Sequence, residues 1–135
     1  MIQVLDEQQS YELLTTTTIG RVGVVHEGRV QILPVNFAVS GHDLLLRTAP
    51  DGVLAALTRE PLEVAFEVDY HDPLGNTAWS VLMHGPLSRV PDDEATGDAA
   101  RVHPWAGEDR RLPLSFHIEG ITGRSVRRDQ FRGKD

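Results

Sequence analysis

Residues 19–39 read IGRVGVVHEGRVQILPVNFAV, and the pattern of these residues is the clearest indication of the fold. Its first part, Ile19–His26, is rich in valine and glycine, and the β-branched valines favour extended backbone. Glu27 and Gly28 form a turn signal, and a second apolar stretch follows at residues 30–39. Two such stretches, separated by a short turn that contains glycine, predict an antiparallel hairpin.

Strand-like stretches and turns continue along the chain. A turn at residues 40–43 leads to a third strand, and the Gly85-Pro86 pair is expected to bend a long later strand or to place it at a sheet edge. The remaining strands are predicted at residues 44–48, 63–69, 77–90, 114–119 and 121–126. Six or seven antiparallel strands that close on themselves predict a mainly β fold, a small β-barrel with short helices.

Two short helices accompany these strands. Asp6 can cap a helix that runs to about residue 14, because its side chain accepts from free backbone N–H groups. A second helix is predicted at residues 51–59, and Pro61 ends it.

Length and composition limit the classes of protein that remain. The chain has 135 residues, and at roughly 150 residues per domain this length allows a single domain. We expect the domain at residues 1–126, followed by a charged, flexible tail at residues 127–135. The formal net charge is −7, which disfavours nucleic acid as a partner. The absence of cysteine excludes disulfides and thiolate metal clusters, and fits the cytoplasmic location that we expect. No apolar run approaches the ~20 residues needed to cross a bilayer, so no membrane partner is expected.

Common catalytic and metal-binding motifs are missing. The six histidines form no HxH or HExxH pattern, so no metal site is predicted, and the signatures GxSxG, GxxxxGK[ST] and GxGxxG do not occur. Glu67 and Asp69 share one face of a predicted strand and can form a carboxylate pair, although a solvated face is the favoured interpretation. No catalytic residue is assigned.

One combination of polar residues at strand ends points to a ligand. Asn36 offers an amide that both donates and accepts, Arg47 a cation, and Thr48 a hydroxyl, directly before the second predicted helix. The start of a helix presents free N–H groups to an anion. Trp79 and Ser80 open the long strand, and Trp105 lies in the polar stretch that follows it.

Together these segments resemble the pyridoxamine 5′-phosphate oxidase-like, FMN-binding split-barrel family. The resemblance runs from about residue 13 to residue 126, and the order and spacing of its phrases carry it. The phrases cover residues 19–22, 33–37, 46–49, 65–69, 79–81, 104–106 and 121–124.

The resemblance implies a homodimer with flavin mononucleotide (FMN) sites at the subunit interface. Transferred by position, the residues along the isoalloxazine ring are Pro34, Val35 and Asn36. Those near the ring edge, ribityl chain or phosphate are Arg47, Thr48 and Ala49, and the turn with Gly52, Val53 and Leu54 faces the phosphate. The residues that flank the site are Trp79, Ser80 and Trp105. The chain departs from the family at one point: many relatives carry Ser or Thr followed by Lys where Gly52 and Val53 stand. A lost charge-assisted bond of roughly 1.5–3 kcal/mol weakens binding about ten- to a hundredfold.

The resulting hypothesis is a flavin-dependent oxidoreductase that moves a hydride or electrons between a reduced nicotinamide, or a similar donor, and a small organic acceptor. The deazaflavin cofactor F420 is the alternative to FMN, and a chain with no cofactor is a third possibility. A non-enzymatic carrier of flavin, deazaflavin or haem on the same fold is the alternative function.

Overall fold

The computed structural model describes residues 1–91 and 112–127. Eight strands and two helices follow one another in these residues. In chain order they are β1 (Ile2–Leu5), α1 (Glu7–Leu14), β2 (Ile19–His26), β3 (Arg29–Ser40), β4 (Asp43–Thr48), α2 (Val53–Leu57), β5 (Leu62–Asp72), β6 (Thr77–Arg89), β7 (Leu112–His117) and β8 (Gly120–Arg127).

Six of the strands close into a ring. The order in the sheet is β1-β8-β6-β5-β2-β3-β4-β7, and a further pairing between β6 and β7 joins the ends of the ring, with β8 and β1 attached outside it along β6. All of these pairings are antiparallel. The mainly β split-barrel prediction is therefore confirmed.

The described residues form eight strands, one more than the upper value of the predicted six or seven. The additional strand is β1, which pairs with β8 from Ile2 opposite Val126 to Leu5 opposite Gly123. A segment of four residues is too short to show a recognisable period. Its pairing partner comes more than a hundred residues later, so it is found only in the folded chain.

Gly85 marks the point where β6 changes neighbours. Up to His84 the strand pairs with β8, and from Leu87 onwards the same edge pairs with β7. The chain passing from β7 to β8 crosses β6 here, and the Glu119 amide donates to the His84 carbonyl at 3.0 Å. A Cβ atom at position 85 would overlap the His117 carbonyl oxygen. Only glycine allows the two backbones to approach this closely.

The barrel interior is filled by apolar side chains that alternate along the strands. Three aromatic rings lie at its centre: Phe66 packs against Phe116 with ring centroids 5.2 Å apart, and against Phe37 at 5.7 Å. All three are buried. Since successive strand residues point to opposite sides, the intervening residues must face outward.

The two helices lie where the sequence predicted them. Asp6 caps α1, accepting from the Gln9 amide at 2.7 Å, while the Gln9 side chain accepts from the Asp6 amide at 2.9 Å. The second helix is shorter than predicted, Val53–Leu57, because Gly52 before it is extended and the backbone of Thr58 leaves the helical conformation. The Thr58 hydroxyl donates to the Leu54 carbonyl at this end. Neither helix is long and apolar enough to cross a membrane.

Two predicted features lie largely outside the described residues. The charged tail at residues 127–135 is described only at Arg127, whose amide donates to the Met1 carbonyl at 3.0 Å. Trp105 lies in residues 92–111, which are not described.

Replacing Gly85 with alanine tests the crossing. We expect Gly85→Ala to lower the free energy of unfolding by about 2–3 kcal/mol, because the added methyl forces two backbones apart. Urea unfolding followed by circular dichroism measures the change. Gly120→Ala is the matched control, since a Cβ at Gly120 meets nothing within 4 Å. Equal stabilities of the two variants would contradict the assignment.

Candidate functional site

The outward side of the sheet collects polar residues from several strands. Pro34 of β3, Arg21 of β2 and Glu67 of β5 lie side by side in one row of the sheet. Asp69 of β5 and Ser80 of β6 lie side by side in the neighbouring row. We call the surface formed by the outward residues of β2, β3, β4, β5, β6 and β8 the outer face.

An ion-pair cluster stands in the middle of the outer face. One nitrogen of Arg21, Nη1, donates to Glu67 Oε1 at 2.9 Å and to Asp69 Oδ2 at 3.2 Å. The side chains of Arg21, Glu67 and Asp69 are 47%, 32% and 45% exposed. Because one cation serves two carboxylates, the cluster carries a net charge of −1 when both carboxylates are ionised.

Glu67 is a carboxyl group of the cluster that takes up a proton near neutral pH. Partial burial, together with the hydrogen bond to Asp69 and its charge, raises the pKa of Glu67 to about 7, although Arg21 opposes the shift. The pKa of Arg21 is raised in turn, chiefly by the charge of Asp69. The charge of the cluster therefore changes near neutral pH.

Asn36 and Arg47 come together at the other end of the outer face. The pairing of β3 with β4 ends at Phe37 opposite Leu46, so Asn36 and Arg47 occupy the next positions on the two strands. Both side chains are half-buried, and Asn36 Nδ2 donates to the Thr18 carbonyl at 3.4 Å. An amide and a guanidinium thus stand beside each other at the rim of the barrel.

The corner that follows β4 buries several of the predicted contact residues. Thr48, Ala49 and Leu54 are at most 7% exposed and pack inward. The Gly52 amide donates to the Ala49 carbonyl at 3.1 Å, and no side chain caps α2 at Gly52. Gly52 and Val53 are half-buried, and Pro50 and Asp51 before them are exposed, so solvent reaches this part of the corner.

Apart from the corner residues and Trp105, the predicted site residues form two sets. Pro34, Asn36, Arg47 and Ser80 lie on the outer face. Val35 and Trp79 instead pack against the core. Contact of either set with a cofactor remains a prediction.

Two features of the outer face were not predicted from the sequence. Arg124 of β8 lies opposite Ser80, which adds a cation to the row of Asp69 and Ser80. Val25, Val30 and Ile32 are 65–73% exposed and form an apolar patch, which we call the Val–Ile patch, beside the ion-pair cluster. Alternation along β2 and β3 predicts that these residues share a face, but the pairing of β2 with the distant strand β5 does not follow from any local pattern.

The other surfaces of the described residues are weaker candidates for a ligand site. Within the described ranges, no group of three or more histidine, aspartate or glutamate side chains is suited to hold a metal ion. A shallow, open depression of about 190 Å³ lies beside the turn between β5 and β6, where His71, Asn76 and Val126 contribute to its wall. None of the predicted site residues lines it.

Removing the Glu67 carboxylate should change how stability depends on pH. A raised pKa in the folded state stabilises the fold fully below the unfolded value of 4.5, and this contribution is lost as the pH rises through about 7. We therefore expect the free energy of unfolding of the wild type, relative to Glu67→Gln, to fall between pH 4.5 and 7 and then to level off. Denaturant titrations at a series of pH values measure it. Glu63→Gln, on the same strand and face, should follow the wild type, and parallel curves for Glu67→Gln and the wild type would contradict the prediction.

Comparisons with known proteins agree with this architecture. Uncharacterized protein Rv0080 of Mycobacterium tuberculosis (strain ATCC 25618 / H37Rv) is 29% identical over 124 residues, covering 88% of this chain and 82% of that protein. The FAD binding protein from Mycobacterium smegmatis is 27% identical with a TM-score of 0.73, over 94% of this chain and 100% of that one. A putative pyridoxamine 5′-phosphate oxidase from Corynebacterium glutamicum is 28% identical with a TM-score of 0.80, over 95% of this chain and 100% of that one.

The family assignment follows from a match along almost the whole barrel. A family model described as pyridoxamine 5′-phosphate oxidase matches residues 6–125, from the cap of α1 to the last strand. The chain belongs to the pyridoxamine 5′-phosphate oxidase family.

Proposed function

We propose that this protein binds a flavin on the outer face, at the interface of a homodimer, and acts as a flavin-dependent oxidoreductase. The observation that carries the proposal is that Pro34, Asn36, Arg47 and Ser80, from three strands, all lie on the outward side of the sheet. The family supports it, and so does the name of the Mycobacterium smegmatis relative, a FAD binding protein.

The side chains of the outer face fit a flat ring with polar edges and an anionic tail. Pro34 offers a rigid apolar surface, while Asn36 and Ser80 can donate and accept at a ring edge. The guanidinium groups of Arg47 and Arg124 suit a phosphate or an anionic ring. A bound flavin supplies two-electron redox chemistry, and the residues hold and orient it.

FMN is the flavin that we propose. FMN and FAD share the isoalloxazine ring, so the outer face suits both, whereas FAD also needs room for a second nucleotide. Gly52 and Val53 stand where many relatives carry a hydroxyl and a lysine, so Arg47 is expected to supply the main charge for the phosphate. F420 remains the alternative, and a cytoplasmic location remains a prediction from the sequence.

The homodimer explains how the outer face becomes a closed site. A ring that lies on one sheet leaves its other side in water unless a second surface covers it. The Val–Ile patch, with Val25, Val30 and Ile32 at least 65% exposed, borders the proposed site and offers apolar area for a second copy to bury. A two-fold interface would bring the same patch from both copies together.

A carrier on the same fold is the second candidate. The missing hydroxyl and lysine at Gly52 and Val53 favour it, because weak phosphate binding suits release of the bound group. Oxidation of NAD(P)H with a quinone or nitro compound as acceptor separates the enzyme from the carrier. A Soret band in the purified protein would favour haem, and yellow colour would favour flavin.

The loss of Arg47 tests the binding proposal. We expect Arg47→Ala to weaken FMN binding about ten- to a hundredfold, because one charge-assisted contact is lost. Fluorescence titration of the protein with FMN, FAD and F420 measures it. Arg29→Ala, at the opposite end of β3, should bind as the wild type does. Absence of binding of all three cofactors to the wild type would overturn the proposed function.

A charge in the Val–Ile patch tests the dimer. Ile32→Asp should convert the dimer to monomer at micromolar concentration, because an unpaired carboxylate would be buried at the interface. Size-exclusion chromatography with light scattering measures the mass. Leu74→Asp is the matched control at a side chain that is 96% exposed, and it should leave the dimer intact. A monomeric wild type would contradict the proposed assembly.

A further inference from the structure

The ion-pair cluster lies between the two parts of the proposed flavin site. Arg21 is opposite Pro34 on one side and opposite Glu67 on the other. Asp69 is in turn opposite Ser80. A ligand that spans Pro34 and Ser80 must therefore cross the surface that Arg21, Glu67 and Asp69 form.

Within residues 1–91 and 112–127, few other charged groups face Glu67. On β2, Arg21 lies opposite Glu67. On β5 itself, Asp69 is the next outward residue toward one end of the strand, and Glu63 is the second outward residue toward the other end. From β6 it lies directly opposite Leu82, with His84 one outward position further along that strand. Beyond β6, β8 contributes Arg124 opposite Ser80. The inward side of β5 is apolar core and holds no charge to compensate Glu67.

We propose that Glu67 is a positioning residue of the flavin site, which by holding or releasing one proton sets the outer face between Pro34 and Ser80 to a neutral or a negative charge. The inference rests on the proposed function. It assigns to the pair Glu67 and Asp69 a role in ligand binding, in addition to their ion pair with Arg21.

The arrangement of the cluster explains why one proton decides its charge. Arg21 does not deprotonate in proteins, so it balances one carboxylate at every relevant pH. When Glu67 holds a proton, Arg21 and Asp69 compensate each other and Glu67 can donate to Asp69. When Glu67 loses it, two carboxylates compete for the same Nη1 atom, at 2.9 and 3.2 Å, and one negative charge is left over.

The uncompensated charge is unfavourable for an anionic ligand. It would lie between the proposed contacts of the ring, where a second subunit excludes water and weakens screening. Because the pKa of Glu67 is raised to about 7, this change of charge takes place near physiological pH. Protonated Glu67 thus favours binding, and ionised Glu67 opposes it.

The affinity for FMN should therefore fall as the pH rises through about 7. For one linked proton the dissociation constant changes by at most about tenfold per pH unit. We expect a rise of about three- to tenfold between pH 6 and 8 in the wild type that is lost in Glu67→Gln. Riboflavin is the second probe: it lacks the phosphate and is uncharged, so its affinity should depend on pH much less than that of FMN. The phosphate's own pKa near 6 contributes equally to the FMN curves of the wild type and Glu67→Gln, so the quantity compared is the difference between these two curves.

Titrations of the complete chain with FMN and with riboflavin at pH 6, 7 and 8 test the proposal. Glu63→Gln is the matched control: it removes the same charge from the same strand and face, outside the cluster, and should keep the pH dependence of the wild type. A pH profile of Glu67→Gln that superimposes on that of the wild type, with FMN bound, would overturn this inference and leave the proposed function standing. Absence of flavin binding at every pH would instead overturn the proposed function and this inference with it.

A measurement without ligand examines the proton directly. Carbon-13 NMR of glutamate side-chain carboxyls should show Glu67 titrating with a midpoint near 7 in the ligand-free protein. In Asp69→Asn the midpoint should move down, because a negative neighbour is removed while Arg21 stays. A Glu67 midpoint at the ordinary value of 4.5 would overturn the proposal, whatever the outcome of the ligand titrations.

Discussion

The fold depends on one edge of β6 serving two partners. A strand edge must satisfy its N–H and C=O groups along its whole length, and here β8 does so up to His84 and β7 from Leu87. The change of partner requires the chain between β7 and β8 to pass over β6 at van der Waals distance, which the absence of a side chain at Gly85 permits. The ring closes through the β7 part, and β8 with β1 extends the sheet through the other part.

The extended sheet is what creates the outer face. Because β8 continues beside β6, Arg124 joins the row that contains Asp69 and Ser80. Because the ring closes, β2 comes to lie beside β5, and Arg21 reaches two carboxylates that follow it by more than forty residues. The same closure that buries the three phenylalanines therefore also assembles the charges on the opposite side of the sheet.

The electrostatics of the outer face follow from this packing. A single guanidinium shared by two carboxylates leaves the cluster one charge short of neutrality, and partial burial makes that charge costly enough to raise the pKa of Glu67. In water the same three side chains would titrate near their ordinary values. The sensitivity to pH belongs to the arrangement of strands and not to any residue of the cluster alone.

Local sequence patterns predicted β2 to β8, the turns, the capped first helix and the shared face of Glu67 and Asp69. Each of these is a local property of neighbouring residues. The family resemblance was also visible in the sequence, because it depends on the order and spacing of short segments along the chain. The sequence did not predict β1, because its four residues form a strand through pairing with β8 at the far end of the chain. Nor did it separate Pro34, Asn36, Arg47 and Ser80, which face outward, from Val35 and Trp79, which pack on the core. These points depend on long-range packing. The inner and outer sides of a strand are defined only when the sheet closes around its apolar side, and the partners of Arg21 depend on which strands become neighbours.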